Sequence, residues 1–473
     1  MNSAHNILTL DSCRTLSIAN NKDLRISFEK INTAHYRQKA AFTGFLPKVD
    51  AMGTYTRTQK EISILSDKQK EIVSNIGGAT QNSMQETFRQ MTVSNPELNV
   101  LLQPLASLVP GIGQTLNDLG KELVDAMHTD TRNVYAGTVA ITQPLYMGGK
   151  IVAYNKITRY AEQLAKSQHA ADMQDIILST DQAYWQVVSL VNKKKLVESY
   201  LKLVKRLDED MSRMMTEGVT TKADMLSVEV KVNEAEMKLT QVKDGLSLSR
   251  MVLCQICGLP LNSEICLADE NVENLSLLEV ACSTDNVATA MANREELKSL
   301  DLAIQIYEQT VNVIRADFLP TIALTANYTV TNPSFVNGFE KKFRGMWTIG
   351  ALIKVPVWNW GEGFYKVRAA KTETNIARYQ LSDAREKIEL QVNQASFKVN
   401  EAAKKLVMAL KNREKAEENL RYANLSFGEG VIPVNNVLEA QFAWLSAQSD
   451  KIDAEIDVKL AEVYLRKSVG TLK

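Results

Sequence analysis

The residues best able to do chemistry are the five cysteines, because four of them lie close together in the sequence. Cys254, Cys257, Cys266 and Cys282 form a C-x2-C-x8-C-x15-C pattern. Structural zinc sites usually pair two C-x2-C units, and the second such pair is missing. Two interpretations stay open: small apolar residues of a core, or a disulfide in an exported protein. With Cys13 the number of cysteines is odd, so at least one thiol stays free or pairs between chains.

The other chemistry-bearing residue types give no catalytic site. The four histidines are scattered in the sequence and suggest neither a triad nor a metal cluster: they are His5, His35, His128 and His169. The segment Met147-Gly148-Gly149-Lys150 resembles part of a phosphate-binding loop but lacks the G-x-x-x-x-G-K-[ST] spacing. The sequence therefore predicts no enzyme activity, no cofactor and no bound metal.

Composition removes further classes of function. Lys+Arg and Asp+Glu number 55 each, so the formal net charge is zero and there is no basic footprint for nucleic acid. No window approaches the ~20 apolar residues of a transmembrane helix. The first residues resemble no signal peptide. These facts leave a cytosolic protein or an exported protein whose signal has been removed, and the patterns below favour the second.

The elements that would position any site come from a unit that occurs twice in the chain. One set of residues recurs 273 positions later: Ala19-Asn20, Leu24, Ile31, Phe45-Leu46-Pro47 and Tyr55-Thr56. A second set recurs 212 positions later: Pro144, Gly149, Glu217-Gly218-Val219, Leu226 and Gly258. The first copy is longer by the difference of the two offsets, within residues 58–132. Internal repetition of this kind dictates the architecture.

Most of each copy is predicted to be long helix, because apolar residues recur at three- and four-residue steps. A helix of ~70 residues would be ~105 Å long, which no compact domain holds. The first repeat, residues 8–260, is predicted to contain a helix at 10–43, strands at 49–57 and 133–143, a long loop at 58–132, and helices at 146–216 and 222–258. An inter-repeat segment follows at 261–285. The second repeat, residues 286–473, is predicted to contain a helix at 286–317, strands at 321–330 and 346–355, and helices at 360–427 and 435–470.

Two of the four strands alternate clearly between apolar and polar residues. In 321–330, Ile322, Leu324, Ala326, Tyr328 and Val330 share one face. In 346–355, the residues from Trp347 to Val355 alternate in the same way. Period-two alternation over about ten residues suits a strand of a membrane-spanning barrel.

Proline and aromatic residues mark the ends of these strands. Proline cannot continue a helix or donate to a sheet ladder, so the predicted helix–strand corners are Pro47, Pro144, Pro320 and Pro356. The aromatic residues nearby are interpreted as an interfacial girdle, with ordinary strand-end packing as the alternative: they are Tyr55, Tyr135, Tyr328, Trp347, Trp358 and Trp360.

Four strands are too few to close a barrel, since even small barrels take ~8 strands. Every backbone polar group in lipid needs a partner. If these strands span a bilayer, several chains must therefore pool them.

At this point the sequence resembles the TolC-like outer-membrane efflux and secretion channels. The resemblance spans about Leu8 to Leu472 and rests on the two helix-FLP-strand segments and on three further stretches: Gln143-Pro144-Leu145-Tyr146-Met147-Gly148-Gly149, Val355-Pro356-Val357-Trp358-Asn359-Trp360-Gly361, and Gly430 with Asn436-Val437-Leu438-Glu439-Ala440-Gln441. It implies a mainly α protein with a small β part, built from a duplicated helix–strand–strand–helix repeat. It also implies a homotrimer with a 12-stranded β-barrel in outer-membrane lipid, continued by a 12-helix α-barrel through the periplasm.

The resemblance further implies a passive duct for drugs, small molecules or proteins. An inner-membrane transporter, either an antiporter or of the ABC type, would drive export through a periplasmic adaptor. A gate near the helical tip would match Asp224, Ser227, Asn436 and Glu439, although family members often carry Asp where this chain has Asn436. The tip turns, where the adaptor would dock, contain Gly218, Val219, Thr221, Gly430, Val431 and Pro433.

Three alternatives stay open. Solvated charges on a helix face are the alternative interpretation of Glu439 and Asp224. The loop 58–132 could pack across a barrel mouth, meet a partner on the cell surface, or pack only on itself. A soluble coiled-coil scaffold or adaptor is the alternative function, although it leaves the alternating strands unexplained.

Overall fold

The computed structural model describes residues 7–59, 65–94, 99–127, 132–271, 286–334 and 340–472. The chain divides into two compact units. We call them the helical unit (Met1–Ala41, Val152–Ile314 and Gly361–Lys473) and the sheet unit (Phe42–Ile151 and Arg315–Trp360). Within the described residues, none of the helices combines the length and apolar character needed to cross a membrane.

Helices account for most of the described residues. In chain order they are α1 Leu10–Asn20, α2 Lys22–Phe42, α3 Asp67–Ser74, α4 Ile76–Ser94, α5 Asn99–Ala126, α6 Lys150–Thr216, α7 Lys222–Ile256, α8 Asn286–Asn293, α9 Glu295–Ala316, α10 Glu362–Gly428 and α11 Val434–Val469. The strands are β1 Ile7–Leu8, β2 Lys48–Arg57, β3 Asn133–Met147, β4 Cys266–Leu267, β5 Thr321–Asn332 and β6 Arg344–Lys354.

The predicted helix at 10–43 is divided in two. Asn21 is in extended conformation between α1 and α2, and its side-chain oxygen accepts hydrogen bonds from the backbone N–H groups of Asp23 and Leu24 at 2.8 and 3.3 Å. This is the bonding of a helix N-cap, so a new helix begins here. The predicted helix at 286–317 is divided at the equivalent position, Arg294, between α8 and α9.

The breaks are held by equivalent contacts in the two repeats. The Asn21 amide donates to the carbonyl oxygen of Ile256 at 3.3 Å, and the Arg294 guanidinium donates to that of Ser468 at 3.1 Å. Each pair of positions follows the two sequence offsets of the duplication. The duplication therefore extends to individual tertiary hydrogen bonds.

The first long helix begins later than predicted. β3 continues to Met147, and α6 begins at Lys150 after two glycines with positive φ. Pro144 consequently lies inside β3 and not at a helix–strand corner. The register with β5 shifts between Pro144 and Tyr146, because proline has no N–H to donate to the ladder.

The prediction of a long loop at 58–132 is wrong for most of that segment, which contains α3, α4 and α5. Gly77 and Gly113 let α4 and α5 approach closely: a Cβ built on Gly77 would lie 1.9 Å from the carbonyl oxygen of Gly113. The Asn117 side chain also accepts a hydrogen bond from the N–H of Gly77 at 2.8 Å. Residues 60–64, 95–98 and 128–131 of this segment lie outside the described residues.

The sheet unit contains an antiparallel sheet in the order β2-β3-β5-β6. In the helical unit β1 pairs in parallel with β4, which belongs to the predicted inter-repeat segment. Residues 272–285 of that segment, including Cys282, lie outside the described residues, as do His5 and His128.

Candidate functional site: an apolar sheet face and a helical tip

The four-stranded sheet has one apolar face. Residues opposite one another in a ladder lie on the same face, and the register aligns the apolar residues of all four strands. Tyr328 lies opposite Trp347 and Val139, and Val139 lies opposite Ala51. Polar residues on this face are Gln143 and residues at the strand ends. The other members of the face are Val49, Ala51, Gly53, Tyr55, Tyr135, Gly137, Val139, Ile141, Ile322, Leu324, Ala326, Tyr328, Val330, Gly345, Trp347, Ile349, Ala351 and Ile353.

The opposite face is rich in hydroxyl and amide side chains. Thr138 and Thr329 lie opposite each other there, with their hydroxyl oxygens 3.1 Å apart. The same face contains Thr54, Thr56, Thr142, Thr325, Asn327 and Thr348. The two faces of the sheet therefore differ in polarity, although the second face also contains Met52, Met346 and Leu352.

Both edge strands are unpaired on their outer side within the described residues. Every residue of β2 and of β6 is exposed, and Ile349 is 73% exposed. A long exposed edge is a template for pairing with another strand.

The predicted aromatic residues form two groups within the sheet unit. Tyr55, Tyr135, Tyr328 and Trp347 lie on the apolar face, and the rings of Tyr55 and Tyr135 are 4.9 Å apart. Trp358 and Trp360 lie in the segment after β6, with their rings 5.8 Å apart, and both are exposed.

Three of the four predicted corner prolines lie between elements. Pro47 follows a short 3-10 turn at Thr43–Phe45 and precedes β2. Pro320 precedes β5, and Pro356 follows β6.

In the helical unit, α6–α7 and α10–α11 are connected by two turns of the same design. Gly218 and Gly430 have φ of +74° and +71°, a region that glycine adopts without strain. The next residue closes each helix: the N–H of Val219 donates to Met214 O at 2.8 Å, and that of Val431 donates to Ser426 O at 2.9 Å. Both valines are exposed, at 69% and 74%.

The helices that enter these turns share an apolar core. Side chains from the end of α6 and the starts of α7 and α11 form one cluster. Its fully buried members include Val204, Val228 and Val437, each 0% exposed. The two turns therefore lie next to a packed apolar cluster. We call the turns together with this cluster the tip.

The predicted gate residues do not all come together. Ser227 and Glu439 line one groove between α7 and α11 with a volume of about 520 Å³. Asp224 has a different position: its N–H donates to the Thr221 hydroxyl oxygen at 3.2 Å, and that hydroxyl donates to the Asp224 carboxylate at 2.6 Å. Asp224 and Thr221 therefore cap α7. Asn436 is exposed and does not line the groove.

Sequence reasoning missed the other lining residues of this groove. They are Val230 and Lys231 of α7 and Asn435, Leu438 and Phe442 of α11. On α7, Lys231 lies four positions after Ser227. On α11, the step from Asn435 to Glu439 is four residues and the step from Glu439 to Phe442 is three. That helical spacing is visible in the sequence, but pairing the two faces requires the packing of α7 on α11.

Comparisons with known proteins agree with this geometry. The profile of the family described as outer membrane efflux protein matches residues 105–259 and 286–471, well over half of the chain. The alkaline protease secretion protein AprF of Pseudomonas aeruginosa is 22% identical over 382 residues, which cover 78% of each chain. The outer membrane protein TolC of Vibrio cholerae is 21% identical over 351 residues, covering 71% of this chain and 76% of TolC.

Solved structures show the same fold. The outer-membrane channel OprN aligns with a TM-score of 0.74 at 15% identity, over 98% of this chain and 90% of OprN. The CmeC outer membrane channel of Campylobacter jejuni aligns with a TM-score of 0.72 at 15% identity, over 98% and 85% of the two chains. Identities this low establish a common fold and nothing more.

Proposed function

Because this chain belongs to the outer membrane efflux protein family, we propose that it is the passive outer-membrane exit duct of a tripartite efflux or secretion system. Members of the family are outer-membrane channels with periplasmic helices and are not enzymes, and the chain is one of them. The proposal concerns its assembly, its gate, its partners and its cargo.

The observation that carries the proposal is the two-faced sheet with two open edges. An apolar face suits lipid, and a face of threonine and asparagine suits water. The edges β2 and β6 cannot stay open in lipid, because each unpaired N–H and C=O there costs several kcal/mol. Pairing β2 of one copy with β6 of the next removes every edge.

We place three copies in the barrel. Three sheets of four strands give the twelve strands expected of a TolC-like homotrimer. Two copies would give about the smallest closed barrel, whose interior is filled by side chains. A trimer therefore leaves room for a water-filled lumen lined by the threonine face.

Photo-cross-linking tests the proposed edge pairing. A photoreactive side chain at Thr54 on β2 is expected to cross-link to residues 344–354 of a second copy and to give trimers on gels. The same group at Thr325 is the matched control, because it replaces a threonine of the same face on the central strand β5. Products confined to one chain at both positions, or a stable monomer in detergent by native mass spectrometry, would refute the pooled barrel.

We place the periplasmic gate at the α7–α11 groove of the tip. Glu439 contributes a carboxylate near the turn, and Ser227 contributes a hydroxyl from the facing helix. A ring of three such carboxylates would lower the potential at the entrance and favour cations. Asp224 and Asn436, the other matched positions, contribute less in this view, since Asp224 is engaged in the α7 cap.

Glu439→Gln is the cleanest test of the gate, because it removes the charge and keeps the size. The expected result in a planar bilayer is altered single-channel conductance and weaker cation selectivity. Glu429→Gln is the matched control, because Glu429 is an exposed carboxylate in the turn after α10. Equal channel properties for wild type and Glu439→Gln would remove the gate assignment and leave the duct intact.

We place adaptor docking at the two turns, where Val219 and Val431 are exposed directly after glycines with positive φ. Val219→Asp with Val431→Asp is expected to abolish co-purification of the periplasmic adaptor and of the inner-membrane pump, either an antiporter or an ABC transporter. The trimer should persist in this variant. Undiminished adaptor recovery would refute the docking site.

We expect the inner-membrane transporter, and not the wall of the duct, to determine which class of cargo is exported. The relatives AprF and PrtF are named for protease secretion, which supports including proteins beside drugs and other small molecules. Identifying the transporter that co-purifies with the chain would decide between them. Membership of an outer-membrane family leaves no place for the alternative of a soluble coiled-coil scaffold.

A further inference from the structure

Two cysteines that are far apart in the sequence meet in the core of the first repeat. Cys13 lies in α1, and Cys257 caps the end of α7. Both side chains are 0% exposed and belong to the same apolar cluster. The Cys257 thiol donates to the carbonyl oxygen of Cys13 at 3.7 Å.

The neighbouring contacts fix Cys13 in this position. The next residue, Arg14, donates two hydrogen bonds to the buried carboxylate of Asp181, at 2.7 and 2.5 Å. One turn further along α1, the Ser17 hydroxyl accepts a hydrogen bond from Thr180 at 2.9 Å. α1 is thus held against α6 by two contacts in the turn that follows Cys13, and the Cys13 side chain is buried at this junction.

The other described cysteines are less suitable partners. Cys254 and Cys257 are one helical turn apart, and residues at that spacing have Cβ atoms about 5–6 Å apart, beyond the ~3.5–4.5 Å of a disulfide. The Cys254 thiol donates instead to the carbonyl oxygen of Ser263 at 3.9 Å. Cys266 is partly exposed in β4.

Among the described residues, no group of three or more His, Cys, Asp or Glu side chains is arranged to hold a metal ion. The helical unit of this outer-membrane protein belongs to the periplasm, where disulfides form and persist.

We propose that Cys13 and Cys257 form a disulfide in the exported protein, which links α1 covalently to the end of α7. The bond joins positions 244 residues apart. It has no equivalent in the second repeat, where the offsets lead to Asn286 and Val469.

The chemistry is thiol–disulfide exchange with a periplasmic disulfide carrier protein, before the core closes. The Cys257 thiolate attacks one sulfur of the carrier disulfide, forms a mixed disulfide and releases the second carrier sulfur as a thiolate. The Cys13 thiolate then attacks the Cys257 sulfur and releases the first carrier sulfur. The two chain thiols lose two electrons and two protons, and the carrier gains them as its dithiol.

The test is differential alkylation of the native chain from outer membranes. Cells are quenched in acid, and the protein is unfolded in the presence of a maleimide without reductant. We expect the tryptic peptide that ends at Arg14 to be linked by a disulfide and to take up maleimide only after reduction. Recovery of this peptide as a fully alkylated thiol without reduction would overturn the proposal.

Two variants identify the partner of Cys13. They are needed because no Lys or Arg lies between Arg250 and Arg294, so trypsin leaves four cysteines in one peptide. Cys254→Ala is expected to keep the linkage, whereas Cys257→Ala is expected to release Cys13 for alkylation. A linkage that persists in Cys257→Ala, or is lost in Cys254→Ala, would assign Cys13 to another partner and refute the pairing. The result does not depend on the number of copies in the barrel or on the gate.

Discussion

Replacing Ile349 by arginine tests which face of the sheet meets lipid. Ile349 is the sixth of the eleven residues of β6, and it lies opposite Ala326 on the apolar face. Ten steps of ~3.4 Å make the strand about 34 Å long. A tilt of about 40° reduces its height to about 26 Å, close to the ~25 Å apolar band of an outer-membrane barrel. Ile349 should therefore lie near the bilayer midplane.

At that depth an arginine on the lipid side costs about 2–4 kcal/mol. The folding equilibrium of each subunit should consequently fall roughly 30- to 900-fold. The assay is guanidinium titration of the protein folded into lipid vesicles, with the heat-sensitive trimer band on gels as a second readout. Ile349→Arg should lower the midpoint and deplete the trimer.

Thr348→Arg is the matched control, since Thr348 is the preceding residue on the same edge strand and lies opposite Asn327 on the other face. An arginine there would enter a water-filled lumen and should cost little. If Thr348→Arg destabilised the protein as much as Ile349→Arg, the apolar face would not be the lipid face, and the pooled barrel would lose its main support.

Three further predictions concern the helical unit. Gly430→Ala should destabilise the protein by about 1–2 kcal/mol because φ is +71° there. Gly428→Ala should be neutral or stabilising, although an added Cβ has open space at both positions. Equal thermal midpoints for the two variants would contradict this prediction. Arg14→Met should cost about 3–5 kcal/mol by leaving the Asp181 carboxylate buried without a partner, and Arg14→Met with Asp181→Leu should recover most of it; a double variant as unstable as the single one would refute the argument. Burial raises the pKa of Glu462, so its charge opposes folding above the unfolded-state pKa. Glu462→Gln should therefore raise the melting temperature at neutral pH, and this gain should vanish as the pH falls below that pKa; a gain independent of pH would exclude this cause.

The sequence predicted the strands well where alternation was strong, because the apolar residues of these strands lie on one face of the sheet. β5 and β6 were recognised from this pattern alone. The turns at Gly218 and Gly430 could also be recognised in the sequence, because a backbone position with positive φ strongly favours glycine.

The features that sequence reasoning missed depend on contacts between distant segments. The breaks at Asn21 and Arg294 are accompanied by side-chain hydrogen bonds to helix ends more than 170 residues away, in addition to the local cap that Asn21 forms on α2. Among the helices of the inserted segment, α5 was missed because Pro104 and Pro110 lie inside it, and prolines usually argue against a helix interior. The groove of the tip could not be predicted because it depends on how α7 packs against α11, and the sequence of either helix alone does not show this packing.

Comparison of the two repeats also distinguishes contacts that fix the backbone path, which occur in both, from contacts that differ between them. A Cβ on Gly258 would lie 2.5 Å from the Cβ of Asn20, and a Cβ on Gly470 would lie 3.1 Å from that of Asn293. Both glycines have positive φ, so space and conformation both require glycine at these positions.

Side-chain chemistry around these fixed points differs between the copies. The ion pair of Arg14 with Asp181 has no equivalent, because the offsets lead to Val287 and Asn393. The Cys13–Cys257 pair is likewise confined to the first copy. The two glycines that the backbone requires have recurred, whereas the residues of the ion pair and of the cysteine pair have diverged. The proposed disulfide and the buried ion pair would therefore hold α1 in place by contacts that α8, its counterpart in the second repeat, lacks.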